Sequence, residues 1–251
     1  MTATAITAQL HTRVFGTALT VEDHLPSTNT AARTLARAGA AEGTVVVARS
    51  QSAGRGRRGR SFFSPDGGVY MSVILRPGAT MTAGDITACA AIAVARAIER
   101  LCVAKVGIKW VNDLFINDRK VCGILTEGEC AADGTLTYAI LGIGVNVAPT
   151  VFPDDIPATS LANEGHTVDR AALIAAVLEE WEALYTTYDP TTILTESRHR
   201  SVILGREVTV YQGSKAYTAT ALDITAHGHL TVRTATGDVI TLSSGEVSIK
   251  L

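Results

Sequence analysis

Apolar residues at Ile86, Cys89, Ala90, Ala93, Val94, Ala97, Ile98 and Leu101 advance by three and one in turn, which lays them along one stripe of a helix. Leu173, Ile174, Val177, Leu178, Trp181, Leu184, Tyr185 and Tyr188 follow similar spacing and predict a second long helix. A shorter one is predicted after Ser27-Thr28-Asn29, over an Ala/Leu run closed by Gly39 and Gly43, with Ser27 or Thr28 as N-cap. β-Branched runs predict strands at residues 44–50, 68–77, 106–113 and 137–147, and residues 114–129 continue as a hairpin around Asn117-Asp118. Glycines inside 137–147, among them Gly142 and Gly144, predict close approach by a ligand or a second backbone. From about Gly205 the period becomes two. Five short alternating strands separated by Gly-containing turns, with no helical pattern among them, predict a small closed barrel of SH3-like size. The fold class is therefore α+β: a helix-covered mixed sheet over residues 1–200, then a β-barrel over 201–251.

Composition fits this picture and adds one feature. A chain of 251 residues, 47% hydrophobic and 18% charged, suits a soluble globular protein with a sizeable core and a small appendage. Lys+Arg number 22 against 24 Asp+Glu, and four of those arginines (Arg55, Arg57, Arg58 and Arg60) crowd into the segment GRGRRGR. Without them the cations would number 18, so positive charge is focused at one place rather than spread as on a nucleic-acid-binding face. The four cysteines form no C-x-x-C pair and read as free thiols in a reducing cytosol. No signal peptide is visible, and the most apolar run, 86–101, is interrupted by Arg96, Glu99 and Arg100, so the expectation is a cytoplasmic protein without a membrane partner.

The arginine segment admits several readings. Gly54-x4-Gly59-Arg60-Ser61 nearly spells a phosphate-binding P-loop, but such a loop must open a helix, whereas here residues 62–67 lead into a strand. RNA-binding Arg/Gly segments are longer and repeated. A solvated surface loop would leave four mutually repelling charges without a counter-ion. Glycines free the backbone to fold around an anion and expose its N–H groups, which favours phosphate binding by a loop that is mobile when empty. Lys109, on the predicted strand 106–113, is by itself an ordinary surface lysine; beside the arginine loop it could neutralise an oxygen during phosphoryl or nucleotidyl transfer. Asp113 could polarise an incoming amine or simply end the strand. The histidines are scattered, His227-Gly228-His229 falls in a turn, and no Gly-x-Ser-x-Gly or metal-ligand spacing stands out, so no metal site is expected in the protein itself.

Taken in order, STN at 27–29, SAGRGRRGR at 52–60, KWVNDL at 109–114, RKVCGIL at 119–125 with a following Glu, GIGVNV at 142–147 and GEVSIK at 245–250 resemble a biotin–protein ligase. The resemblance runs from Ser27 to Leu251, and with 26 residues before it the chain looks like the short class that lacks an N-terminal DNA-binding domain. It implies a catalytic fold like that of class II aminoacyl-tRNA synthetases. It also implies biotin as substrate, ATP with Mg2+, a biotin carboxyl carrier protein as acceptor, no DNA, and a monomer or homodimer. Lys109 and Arg57 would be catalytic. Ser27, Thr28, Asn29, Gln51, Arg55, Gly56, Arg57, Lys109 and Gly123 would bind biotin. Arg58, Arg60, Phe62, Asn112 and Asn146 would bind nucleotide. Three positions depart from the family's usual pattern: Val111 stands for Pro, Lys250 for Arg, and Phe62 for Trp, leaving adenine stacking to Phe62 or Phe63. A lipoate or octanoate ligase of the same fold and a non-catalytic nucleic-acid-binding module are the alternatives; the arginine loop argues against the first, and salt-steep binding without ATP turnover would mark the second.

Overall fold

The computed structural model describes residues 1–77, 79–153, 156–212, 215–243 and 246–249. The chain runs α1 (Ala3–Thr7), β1 (Leu19–Leu25), α2 (Thr28–Arg37), β2 (Val45–Gln51), β3 (Val69–Leu75), α3 (Ala83–Leu101), β4 (Gly107–Lys109), β5 (Asp113–Ile116), β6 (Arg119–Cys130), β7 (Leu136–Val145), α4 (Arg170–Thr186) and α5 (Pro190–Arg200). Strands β8 (Glu207–Gln212), β9 (Lys215–Ile224), β10 (Leu230–Thr234), β11 (Val239–Leu242) and β12 (Glu246–Ile249) complete it. Among the described residues the first seven strands form one sheet in the order β1-β2-β3-β7-β6-β5-β4, with β1 and β2 parallel and the other pairs antiparallel.

Alternation along the central strands decides what each face of that sheet does. Met71, Val73, Leu141, Ile143, Cys122 and Ile124 enter one large core with α3 and α4. α3 is started by a capping box, in which Thr82 and Asp85 satisfy each other's backbone donors. The opposite face takes Ile74, Ile140 and Ala32 of α2 into a smaller cluster at one end. At its other end this face presents Gly123, Gly142 and Gly144, which have no side chains to contribute. Gly123 and Gly144 are register partners, and Gly142 pairs with Ser72 on one side and Leu125 on the other. A shallow floor results, framed by α2 and the arginine segment.

The structure corrects the expected strand 106–113. The chain reverses at Trp110 and Asn112, so β4 and β5 are separate strands paired with each other, Lys109 opposite Asp113. The reason is tertiary: Trp110 leaves the main sheet to pack with Ile203, Val208, Val210, Leu230 and Val232, and its indole N–H donates to the Gly228 carbonyl at 2.8 Å. β1, α1 and α5 were not foreseen. β1 is an edge strand with mostly polar outward positions, and α5 buries only Ile193.

The C-terminal strands form an antiparallel sheet in the order β11-β10-β9-β8-β12. Its fold is the small sheet expected, but among the described residues no ladder closes β11 onto β12. Trp110, Leu194 and Val202 reach into its core, so the seam with the preceding part is apolar as well as hydrogen-bonded. Arg198 donates to Ile224 O at 3.0 Å and pairs with Asp223 at 2.7 Å. No helix among the described residues is long and apolar enough to cross a membrane.

Beside this seam α3 and α5 are joined by a charged network. Arg200 grips both oxygens of Glu99 at 2.9 Å and Glu196 at 2.9 Å, and Arg96 also pairs with Glu196. Burial pushes the Glu99 and Glu196 carboxyls up, but Arg200 with the Val106 N–H, and Arg96 with Arg200, outweigh it and hold both below the usual carboxylate range. Folded-state values below the unfolded ones mean stability that is present above about pH 4.3 and is lost as pH falls through the folded values. Arg200→Met should therefore cost about 2–3 kcal/mol at pH 7, between exposed and buried pairs. Urea denaturation should show the gap from the parent narrowing by pH 3.5.

Candidate active site

A cavity of about 380 Å3 lies on the glycine floor. The structure brings to it Ser27, Thr28, Asn29, Gln51, Arg55, Gly56, Arg57, Arg58, Arg60, Phe62, Lys109, Asn112 and Gly123. Asn146 is not brought there: it is buried at the end of β7 and its amide donates to Thr159 O at 2.9 Å. Lys250 lies outside the described residues.

One end of the cavity is polar. The first turn of α2 delivers Ser27, Thr28 and Asn29, all buried. Ser27 is the N-cap by position, yet its side chain makes no cap hydrogen bond, so the capping role expected of a hydroxyl here is not taken. Thr28 N donates to Gln51 Oε1 at 2.8 Å, and Gln51 Nε2 donates to Ser64 Oγ at 2.9 Å. Ser72 Oγ stands 2.6 Å from Asn29 Oδ1 and 2.8 Å from Thr28 Oγ1. Asn29 Nδ2 donates to Glu127 Oε2 at 2.8 Å. Gly142 allows this: a Cβ there would stand 2.1 Å from Asn29 Oδ1. The close approach signalled by the glycines is thus made by side chains.

The other end is cationic. The arginine segment is a turn with its own hydrogen bonds, Gly56 N to Arg60 O at 2.7 Å and Phe62 N to Gly54 O at 2.8 Å, with Arg58 in the left-handed region at φ 56°. Side-chain tethers hold it. Arg55 pairs with Glu127 at 2.9 Å, and Arg57 donates to Asn112 Oδ1 at 3.1 Å. Asn112 in turn donates to Ile124 O at 2.9 Å, so its direct duty is to aim Arg57. Phe62 lies over the floor, where a Cβ on Gly144 or Gly123 would meet its ring at 2.6 or 2.9 Å. Phe63 turns outward and pairs with Phe152. Of the two aromatic candidates, Phe62 is the one lining the cavity.

Lys109 rests with its Nζ 5.5 Å from the Phe115 ring centre. The sequence reading missed a second lysine. Lys120 Nζ is 5.7 Å from the Phe62 ring centre, 2.7 Å from Asp113 Oδ1, and would be 3.2 Å from a Cβ on Gly123. Asp113 is therefore an ion-pair partner in this arrangement, which holds Lys120 over the floor. Glu127 and Ser72 were also missed as site residues. A lone serine within the apolar strand VYMSVIL was the available signal, since a buried hydroxyl must find a partner. A larger cavity, about 1040 Å3, adjoins the first and shares Arg57 and Arg58 with it.

No group of three or more His, Cys, Asp or Glu side chains suited to a metal ion occurs among the described residues. All four cysteines are free, and burial pushes the Cys89 thiol up to about 12 and the Cys122 thiol up as well, so neither is poised as a nucleophile.

The model of the biotin/lipoate A/B protein ligase family matches residues 21–146, and that of the biotin protein ligase C terminal domain matches residues 203–250. The bifunctional ligase/repressor BirA of Bacillus subtilis is 43% identical over 186 residues, covering 71% of this chain and 57% of its own length. The match thus spans little more than half of that relative. A biotin--[acetyl-CoA-carboxylase] ligase of Paracoccus denitrificans is 36% identical over 181 residues, covering 67% of this chain and 75% of that one. Among solved structures, a biotin protein ligase from Aquifex aeolicus in complex with biotin and ATP is similar at a TM-score of 0.79 and 27% identity, covering 93% of this chain and 99% of that one.

Proposed function

The chain belongs to the biotin/lipoate A/B protein ligase family, and from that premise we propose that it activates biotin with ATP and transfers it to a lysine of a biotin carboxyl carrier protein. The observation that carries this reading is the polar end of the cavity. Biotin's ring is a cyclic urea with one carbonyl acceptor and two N–H donors. Asn29 Oδ1 and Thr28 Oγ1 have lone pairs to offer, while the Ser27 hydroxyl and the second Gln51 N–H can donate. A lipoyl or octanoyl chain would leave these buried groups unpaired, which disfavours such substrates strongly.

The cationic end suits the two steps. A biotin carboxylate oxygen attacks the α-phosphorus of magnesium-bound ATP; the bond from that phosphorus to the bridging oxygen breaks, and pyrophosphate leaves. Two anions must meet, and Arg57, Lys109 and Lys120 supply fixed positive charge at the cavity for the charge that develops. Arg58 and Arg60, exposed on the turn, face the departing pyrophosphate. The carrier's lysine amine then attacks the acyl carbon of biotinyl-5′-AMP, the carbon–oxygen bond to phosphate breaks, AMP leaves, and the amine gives up a proton. The adjoining cavity opens Arg57 and Arg58 to such an acceptor. In this reading residues 1–200 form the ligase domain and 201–251 a C-terminal domain, a division supported by the C-terminal family match beginning at 203.

The test is mass spectrometry of a purified carrier domain after incubation with the protein, biotin and Mg·ATP. The expected result is one biotinylated lysine with release of pyrophosphate and AMP. No adduct with biotin, or a faster adduct with octanoate or lipoate, overturns the reading.

A further inference from the structure

We propose that Glu127 is the positioning residue that sets the direction of the Asn29 and Ser72 hydrogen bonds at the polar end of the cavity. The inference rests on reading that end as the site for biotin's urea ring. Glu127 sits on β6, and its carboxylate meets three groups: Arg33 at 2.9 Å, Arg55 at 2.9 Å and Asn29 Nδ2 at 2.8 Å. A carboxylate can only accept. The Asn29 amide must therefore turn its N–H groups to Glu127 and, at 3.4 Å, to Leu125 O, and its Oδ1 to Ser72.

Proton counting carries the constraint further. Ser72 is fully buried and has one hydroxyl proton, which goes to Asn29 Oδ1 because that oxygen can only accept. Ser72 then has no proton left for Thr28 Oγ1, 2.8 Å away, and the Thr28 proton goes to Ser72 Oγ or to Gln51 Oε1 at 3.2 Å. With their protons committed, Asn29 and Thr28 offer lone pairs to the cavity. Those are what two urea N–H groups need. The same carboxylate also holds Arg55, the first arginine of the cationic turn, so one side chain orders both the ring end and the near end of that turn.

Glutamine at 127 has the same shape but can donate. Its amide can face Asn29 with N–H, flip the Asn29 amide, reverse the Ser72 and Thr28 protons, and so present donors to the donors of the urea. Glu127→Gln should raise KM for biotin about 10–100-fold. KM for ATP and kcat at saturating biotin should stay within about threefold, because the glutamine carbonyl can still accept from Arg55 and the Arg57 bond to Asn112 is untouched. The double variant Asn29→Asp with Glu127→Gln restores an acceptor at 29 and the net charge, and should recover biotin affinity to within about tenfold of the parent. A residue that merely supports the strand would give no such rescue. If Glu127→Gln fails to fold, Ser72→Ala, which removes the proton that Asn29 accepts, should weaken biotin in direct titration by about tenfold. Unchanged biotin affinity in the folded Gln variant, or in Ser72→Ala, overturns the inference while leaving the proposed function standing. A parent protein that neither binds biotin nor forms adenylate fails the underlying reading instead.

Discussion

Replacing Lys120 by alanine is expected to slow biotin-dependent pyrophosphate release by about 10²–10³-fold, the usual cost of losing one preorganised charge donor. Lys120 is fixed by Asp113 at 2.7 Å and stands over the floor beside Phe62. Its charge is therefore in place before the two anions meet and need not be reorganised as they react. The side chain is half-buried on β6 and its ion pair is partly open to water, so the melting temperature should move by only a few degrees. Lys109, stacked on Phe115 at the flank, is expected to cost less, about tenfold, as Lys109→Ala. Single-turnover measurement of adenylate separates the two lysines. A near-parental rate for Lys120→Ala together with a large loss for Lys109→Ala would assign the charge to Lys109 alone, and near-parental rates for both would remove the lysines from the chemistry.

Why one lysine was legible in the sequence and the other was not comes down to where the chain turns. Lys109 draws notice because Trp110 and Asn112-Asp113 follow it on a run that reads as one strand. The run breaks because Trp110 is worth more in the apolar seam with the C-terminal sheet than on the main sheet. The turn brings Asp113 back beside Lys109, and the hairpin at Asn117 and Asp118 pairs Lys120 with Phe115, from where its ammonium reaches Asp113 at 2.7 Å. That pairing is a property of register, and a hydrophobic pattern fixes register only where one face is buried. The long helices and central strands were legible because their apolar stripes are long and continuous. α5 and β1 were not, since their burial comes from partners far along the chain.

The arginine segment shows the same division. Its charge focus and its place between two core strands read as an anion-binding element, and the structure brings Arg55, Arg57, Arg58 and Arg60 to the cavity. The expectation of a loop without contacts did not foresee its tethers. Arg55 is held by Glu127 and Arg57 by Asn112, both more than fifty residues away. The tip at Arg58 and Gly59, both with positive φ, lies just beyond these tethers.

The second large effect comes from a methyl group. In Gly142→Ala the new Cβ would lie 2.1 Å from Asn29 Oδ1, 2.8 Å from its Cγ and 3.0 Å from its Nδ2, distances at which something must move. β7 cannot, because Gly142 is paired with Ser72 of β3 and with Leu125 of β6 in the middle of the sheet. Asn29 must therefore swing away, breaking its bonds to Glu127 and Ser72 and entering the space the urea ring would occupy. The overlap should cost about 1–3 kcal/mol of stability. Loss of the ring's acceptors together with occlusion of their place should raise KM for biotin by at least about 10²-fold. ATP binding should be nearly unchanged, because the cationic turn and both lysines keep their partners. Titration with biotin and with ATP, alongside thermal melting, reads these separately. Biotin affinity close to the parent's would mean that Asn29 can leave its network without consequence, and that the glycine serves packing rather than substrate.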